Sequence, residues 1–437
     1  MDDARSLQAY LRRLEDFSTL RWTGRVTKAV GHLVESEGPF CSVGEGCAIL
    51  TEDGRTFSGE IVGFRGRCVL SMPLERPSGI RYGDRIVTRG TLPALRVGPE
   101  LLGRVIDGSG KVIDGKAGYR AREYWPLHGD PPQPLERLPI RDPLGCGIRA
   151  IDGLLTCGRG QRVGIFGGSG VGKSTLIGMM TKGTSADMTV LALVGERGRE
   201  VREFLEESIG QEGLERSVVV VSTSDQSPLL RIRAALAATT VAEYFSAQGK
   251  HVLLVVDSLT RFAMAQREIG LAAGEPPTAK GYTPSVFTLL ARLIERAGNF
   301  GTGSITAFYT VLMEGDDQQD PLVDAVRALL DGHVMLDRRL NAKGHYPPIS
   351  VLDSLSRLMS AVCSTEHVEK VRRLRELLAA YAASEDLVRI GAYQKGGDAT
   401  LDRAIATLPV ILRFLQQGKN EQSPLEETLK QLQALPA

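Results

Sequence analysis

Neither sign of charge dominates this 437-residue chain: 53 lysines and arginines face 52 aspartates and glutamates, a formal net charge of +1. So even a balance gives no global pull toward nucleic acid or an anionic membrane, and a dedicated nucleic-acid binder is usually more basic. Long hydrophobic runs are also missing. No stretch of about 18 apolar residues occurs, and the opening Met1-Asp2-Asp3-Ala4-Arg5 leads into no apolar core, so neither a membrane span nor a secretory signal is predicted. Cytosol is the expected compartment. Cysteine is sparse. Cys41, Cys47, Cys68, Cys146, Cys157 and Cys363 form no C-x-x-C pair and have no histidine at metal spacing, which favours buried reduced thiols over zinc or disulfides. What is present is 42% hydrophobic content, that of a soluble, well-cored protein, and length for about three domains.

One stretch carries most of the chemistry. Gly167-Gly168-Ser169-Gly170-Val171-Gly172-Lys173-Ser174 has the glycine spacing and the Lys-Ser ending of a nucleotide phosphate cradle. Glycines let the backbone turn its N–H groups inward, Lys173 can reach the outer phosphates, and the Ser174 hydroxyl can ligate Mg2+ at the start of a helix whose dipole favours anions. The flanks agree: residues 161–166 read as a buried strand, and Ser174, Thr175 and the apolar residues after them as a helix. ATP and Mg2+ are the expected ligands. The apolar strand 251–256 ends in Asp257, where a magnesium-facing acid belongs; a strand-end Asp can also cap the next turn, and the cradle upstream favours the metal. After a strand ending at Val194 comes Gly195-Glu196-Arg197-Gly198-Arg199-Glu200, at the carboxyl end of a sheet strand, where open α/β sheets bind ligands. Glu196 is the candidate to polarise the attacking water, against the alternative of a solvated surface acid. Arg197 and Arg261 are the candidates to neutralise phosphate charge.

Around this core the sequence divides into four parts. Residues 1–18 form an amphipathic helix, with Leu7, Leu11, Leu14 and Phe17 on one side, that either packs on its own domain or docks to a partner protein. Residues 19–92 carry short β-like runs separated by turn signals and are expected to close a small β-barrel. Residues 93–350 form an α/β domain with a parallel sheet covered on both faces, its strands at 188–194, 217–222, 251–256, 304–311 and 333–336; a Pro-rich segment, 93–145, crosses into it. Residues 351–437 return to helical periodicity through Val368, Val371, Leu374, Leu377 and Leu378, and again over 401–415.

The long motifs Gly-Glu-Arg-Gly-Arg-Glu at 195–200, Asp257-Ser258-Leu259-Thr260-Arg261-Phe262, Gly270-Leu271-Ala272-Ala273-Gly274-Glu275-Pro276-Pro277, and Tyr346-Pro347-Pro348 followed by Ser354-Leu355-Ser356-Arg357 resemble those of the type III secretion ATPases. The likeness is greatest to the flagellum-specific export branch and extends more distantly to the catalytic subunit of the rotary ATP synthase. It covers nearly the whole chain and is densest over residues 150–420. The resemblance implies a P-loop core in which Lys173 and Ser174 hold phosphates and magnesium, Glu196 polarises water, Asp257 holds magnesium through its shell, and Arg197 and Arg261 line the γ-phosphate. It further implies that Tyr346 stacks on adenine and that Arg357 reaches a neighbouring subunit's site as an arginine finger, which predicts a homohexamer. The implied partners are a regulator on the N-terminal helix, a stalk protein gripped by residues 274–287 in the central channel, membrane proteins of the export gate at the inner membrane, and chaperone–substrate complexes. Ala291 departs from the family, where proline is usual, and touches none of the proposed site residues. An RNA translocase of the transcription-terminator type shares this architecture but calls for an aromatic, basic barrel face, and residues 20–92 offer few aromatics; nucleic acid is therefore not an expected partner. A subunit that binds ATP without cleaving it is disfavoured by Glu196 beside a complete cradle.

Overall fold

The computed structural model describes residues 22–436, apart from 314, 316 and 318. The helix expected at 1–18 lies outside these residues. Six antiparallel strands, β1 (Thr23–Val30), β2 (Leu33–Glu37), β3 (Gly46–Leu50), β4 (Thr56–Arg65), β5 (Cys68–Pro73) and β6 (Arg85–Thr88), close a barrel in the order β1-β2-β5-β4-β3-β6. Inward residues such as Val26, Val34, Ile49, Ile61, Val69 and Ile86 fill it, each 5% exposed or less. Closure removes the sheet edges that an open six-stranded sheet would leave.

The Pro-rich crossing contributes β7 (Ala94–Val97), β8 (Arg104–Asp107) and β9 (Glu123–Pro126). β7 pairs with β9, whereas β8 joins the central sheet parallel to the strand Ser217–Thr223, so this segment extends the core sheet as well as wrapping it. A two-residue pair, β10 (Pro143–Leu144) with β11 (Cys157–Gly158), precedes β12 (Arg162–Gly167). The sheet continues with β13 (Met188–Glu196), β14 (Ser217–Thr223), β15 (His251–Asp257), the short β16 (Gly298–Asn299), β17 (Ser304–Leu312), β18 (Gly332–Leu336) and β19 (Ile349–Ser356). The order along it is β19-β18-β12-β17-β15-β13-β14-β8. Every ladder on that path is parallel except β18 with β19. The apolar runs read from sequence are these strands, buried on both faces by flanking helices. Residues 351–356, grouped by sequence with the helical part, instead complete the edge strand β19, because an edge strand shows water one face and alternates (buried, half-buried, buried, then mostly exposed) where interior strands do not.

Two polar joints hold the three parts together. Glu60 of β4, almost fully buried, accepts from Nε of the buried Arg233 on the helix Pro228–Ala247 and lies 3.4 Å from His128. At the other end, the helices Ala399–Leu415 and Leu425–Ala434 dock on the helix Arg149–Leu154, and Thr365–Arg389 packs on Ala399–Leu415 and β19 and reaches the Gly153 carbonyl through His367. The buried Arg149 donates to the Phe414 carbonyl at 2.8 Å and pairs with Glu421, while Gln417 bonds the Gly147 carbonyl at 2.8 Å. Buried charges persist only where paired in this way. No helix among the described residues is long and apolar enough to cross a membrane.

Candidate active site

Parallel strands deliver their carboxyl ends to one side of a sheet, and the site is built there. β12 ends at Gly167, whose carbonyl accepts the Met313 N–H at 3.1 Å. The loop then turns through Gly170 (φ +75°) and Gly172 (φ +93°), left-handed conformations that a side chain strains. A Cβ on Gly172 would also lie 2.9 Å from Cε2 of Tyr346. The helix Lys173–Gly183 follows with no side chain capping its start, so its first N–H groups stay free to meet an anion.

Lys173 Nζ sits 2.8 Å from Asp257 Oδ1, the two side chains being 11% and 5% exposed. Thr310 of β17 donates to the same oxygen at 2.7 Å. Glu196 ends β13, one strand over. A register shift there skips Gly195, at φ +70°, so that Glu196 pairs with Thr223, and a Cβ on Gly195 would meet Arg261 Cδ at 2.9 Å. Burial first, and then the Asp257 charge, push the Glu196 carboxyl up to about 7; Lys173 and Arg261 pull the other way, and a hydrogen bond with Glu200 adds to the rise. That value suits a group that exchanges a proton near neutrality. Ser174, Thr175, Glu196, Glu200, Glu203 and Asp257 all line one cavity of about 180 Å³.

Tyr346, from the turn before β19, donates its hydroxyl to the Gly172 carbonyl at 3.3 Å, and its own carbonyl accepts the Gln417 N–H at 2.7 Å, so the helical part holds the ring beside the cradle. Burial raises its hydroxyl to about 12, leaving it a neutral ring for packing. Lys173, Ser174, Thr175, Glu196, Asp257, Arg261 and Tyr346 therefore come together. Arg261 is half-buried and its Nε has no hydrogen-bond partner. Two sequence candidates stand apart. Arg197 is exposed and leans on Glu200 at 3.5 Å, outside the cavity. Arg357 follows the last residue of β19, and Ser356 pairs with Gly332, itself opposite Val163, so Arg357 lies at the amino end of β12. Its own cradle lies at the other end, roughly 17 Å along the strand and two strands across, beyond an arginine's reach.

Glu200, Glu203 and Thr310 were not singled out from the sequence. Glu200 had a signal, since it stands in the same charged motif as Glu196, in the first turn of the helix Gly198–Glu203 that follows β13. Thr310 had none, because its neighbour Asp257 is brought in only by the β15–β17 ladder.

Comparison with known proteins agrees with this architecture. Residues 26–90 match the beta-barrel domain of the ATP synthase alpha/beta family, residues 147–356 its nucleotide-binding domain, and residues 363–434 the T3SS EscN ATPase C-terminal domain. The chain is 49% identical to the flagellum-specific ATP synthase of Bacillus subtilis over 430 residues, covering 98% of each chain. It is also 49% identical to the type 3 secretion system ATPase of Sinorhizobium fredii over 407 residues, 93% of this chain and 90% of that one. Among solved structures it superposes on the assembled ATPase EscN of the enteropathogenic E. coli type III secretion system with a TM-score of 0.90 at 44% identity, covering 94% of this chain and 99% of EscN. EscN in complex with its central stalk EscO gives a TM-score of 0.87 at 43% identity over the same shares. The chain thus belongs to the family of flagellum-specific ATP synthases and type III secretion ATPases, the ATP-driven enzymes of type III export built on the ATP synthase alpha/beta fold.

Proposed function

We propose that this chain cleaves magnesium-bound ATP in a homohexameric ring that serves flagellar type III export. One observation carries the reading: Glu196, Asp257 and Ser174 share one cavity with the cradle, while Arg357 stands at the opposite end of the sheet, free to face a second copy. Hard oxygen donors suit Mg2+, and the Ser174 hydroxyl and Asp257 carboxylate supply two beside the site of the phosphates, in keeping with a metal usually held by one or two carboxylates plus substrate oxygens. Ser174 and Asp257 would hold the metal there, and it would supply positive charge against the phosphates. The free N–H groups of the cradle and Lys173 hold the phosphates, Lys173 exchanging Asp257 for the nucleotide. Glu196 orients the water and accepts its proton, and the neighbour's Arg357 stabilises charge developing on the transferred phosphate. Arg261 packs against Gly195, near enough for its charge to act on Glu196; Arg197 would have to swing away from Glu200 to reach the cavity.

The assembled form of EscN and its complex with a central stalk support a ring with a stalk in its channel for this chain too. Residues 274–287 are the segment we assign to the stalk, with Lys280 bonded to Asp317 and Asp320 at 2.8 and 2.9 Å. A regulator on residues 1–18, gate proteins at the inner membrane and chaperone–substrate complexes complete the proposed partners, around a cytosolic ring that attaches peripherally. The Sinorhizobium relative, as similar as the flagellar one, favours a virulence-type system as the second reading.

Glu196→Gln tests the catalytic core. Turnover should fall by about 10² to 10⁴, the usual worth of a positioned base, with ATP still bound. Normal turnover in this variant would remove Glu196 from the mechanism.

A further inference from the structure

Arg357 grows from a half-buried polar joint, built around the wholly buried Gln161, that no part of the ATP site uses. Asp331, just before β18, accepts the Arg357 N–H on its carbonyl at 3.0 Å. Its carboxylate takes three N–H groups from Arg162: the backbone N and Nε at 3.0 Å on Oδ2, and Nη2 at 3.1 Å on Oδ1. The Asp331 N–H in turn donates to the Arg162 carbonyl at 2.9 Å. Gln161, wholly buried, donates its amide to the Asp331 carbonyl at 3.3 Å and to the Ser356 hydroxyl at 3.2 Å, and that hydroxyl donates to the Thr156 carbonyl at 2.9 Å. Gly332 lets β19 approach this closely, since a Cβ there would lie 2.6 Å from the Leu355 carbonyl oxygen. The joint is anchored on β12, an interior strand with a parallel partner on each side, so its backbone cannot drift. A side chain as long as arginine transmits any tilt of its root to its tip, and misplacement by about 1 Å can cost a catalytic group on the order of a hundredfold.

We propose that Asp331, clamped by Arg162 and backed by Gln161, is a positioning residue that aims Arg357 at the neighbouring copy's nucleotide. The proposal rests on the reading of Arg357 as a group that acts between copies. It makes Asp331 unusual in one respect: a change there damages the next subunit's site and leaves its own intact.

Complementation between subunits tests this on the full-length ring. Asp331→Asn keeps the shape and removes one of the two carboxylates that hold Arg162, the other being Glu295 at 2.6 Å; alone, it should lower kcat by about 10- to 100-fold with KM for ATP unchanged. Co-assembled one to one with Glu196→Gln, whose own site is dead but whose Arg357 root is intact, about a quarter of interfaces by random mixing should join a sound cradle to a sound arginine. Single-turnover ATP cleavage should then recover to about a quarter of the wild-type amplitude. Arg357→Ala mixed with Glu196→Gln is the control and should recover equally. If the control fails, the action of Arg357 between copies is wrong and the proposal goes with it. If the control recovers and the Asp331→Asn mixture does not, Asp331 acts inside its own subunit and the proposal is overturned; full turnover by Asp331→Asn alone overturns it as well. Ser356→Ala, which cuts only the link from Gln161 to Thr156, is expected to show the same pattern with a smaller loss and serves should Asp331→Asn not fold.

Discussion

Replacing Lys173 by methionine should destabilise the fold before any question of catalysis arises. Lys173 is the cation on Asp257 at 2.8 Å, and both side chains are nearly out of water, at 11% and 5% exposed. Methionine fills much of the same space but leaves Asp257 with the Thr310 hydroxyl alone. It also removes one of the two charges that draw Glu196 down, leaving Arg261 as the cation that still acts on it. Breaking a buried pair from one side costs ~3–5 kcal/mol because the remaining charge stays buried. The lower end applies here, since the cavity beside Asp257 gives water some access. At about 3 kcal/mol the melting midpoint of the nucleotide-binding domain should fall by roughly 6–12 °C, at 2–4 °C per kcal/mol for a domain of this size. The double variant Lys173→Met with Asp257→Asn has no orphaned charge and should regain most of that loss, yet remain inactive. Differential scanning calorimetry at neutral pH without nucleotide reads both. If Lys173→Met melts with the wild type, or the double variant melts lower than the single one, the two residues do not form the buried pair described here.

Four further outcomes follow from the same geometry. Arg357→Ala should reduce steady-state phosphate release by about 10³ to 10⁵ while leaving ATP affinity, measured by calorimetric titration, unchanged. Turnover should decline as pH falls through about 7, with about a tenth of Glu196 in its base form one unit lower, and Glu196→Gln should lack that limb. The same raised carboxyl has a stability consequence of opposite sense. Folded Glu196 holds its proton up to about 7, against 4.5 when unfolded, so the stability it lends is present below 4.5 and lost as pH rises through about 7. Glu196→Gln should therefore melt higher than the wild type at pH 8 and together with it at pH 4; a variant that melts lower at pH 8 would contradict the burial argument. Gly172→Ala must hold φ +93° with a Cβ pressed against Tyr346, and should weaken ATP binding roughly 5- to 30-fold for the ~1–2 kcal/mol that a left-handed alanine costs.

The cradle was legible because its physics is local: glycines, a lysine and a strand–loop–helix context lie in one short window. The interior strands were legible because burial on both faces leaves an unbroken apolar run, as in Val218, Val219, Val220 and Val221. What escaped depends on contacts between distant residues. β8 has only Val105 and Ile106 as apolar residues and becomes a strand by pairing with β14, more than 100 positions later. Thr310 and Asp257 meet only through strand order, and Tyr346 reaches Gly172 only because Gln417 pins its backbone. Arg197 illustrates the reverse. Its motif placed it by the phosphates, but as the residue opening the helix Gly198–Glu203 it projects outward toward Glu200.

One reversal of chain direction underlies the proposed division of the site between copies. β12, β13, β15 and β17 run parallel and bring Gly167, Glu196, Asp257 and Met313 to the same end of the sheet, as parallel strands must. β18 runs with them, and the turn beyond it still sets Tyr346 at that end. β19 alone on that edge runs back, so the residue that leaves it, Arg357, emerges at the far side next to Asp331. A further parallel strand in its place would have returned the arginine to its own cradle and allowed a self-sufficient monomer. The antiparallel edge strand instead gives each copy a cradle at one end and a guanidinium at the other, an arrangement that pairs head to tail and, with a rotation that closes, makes a ring.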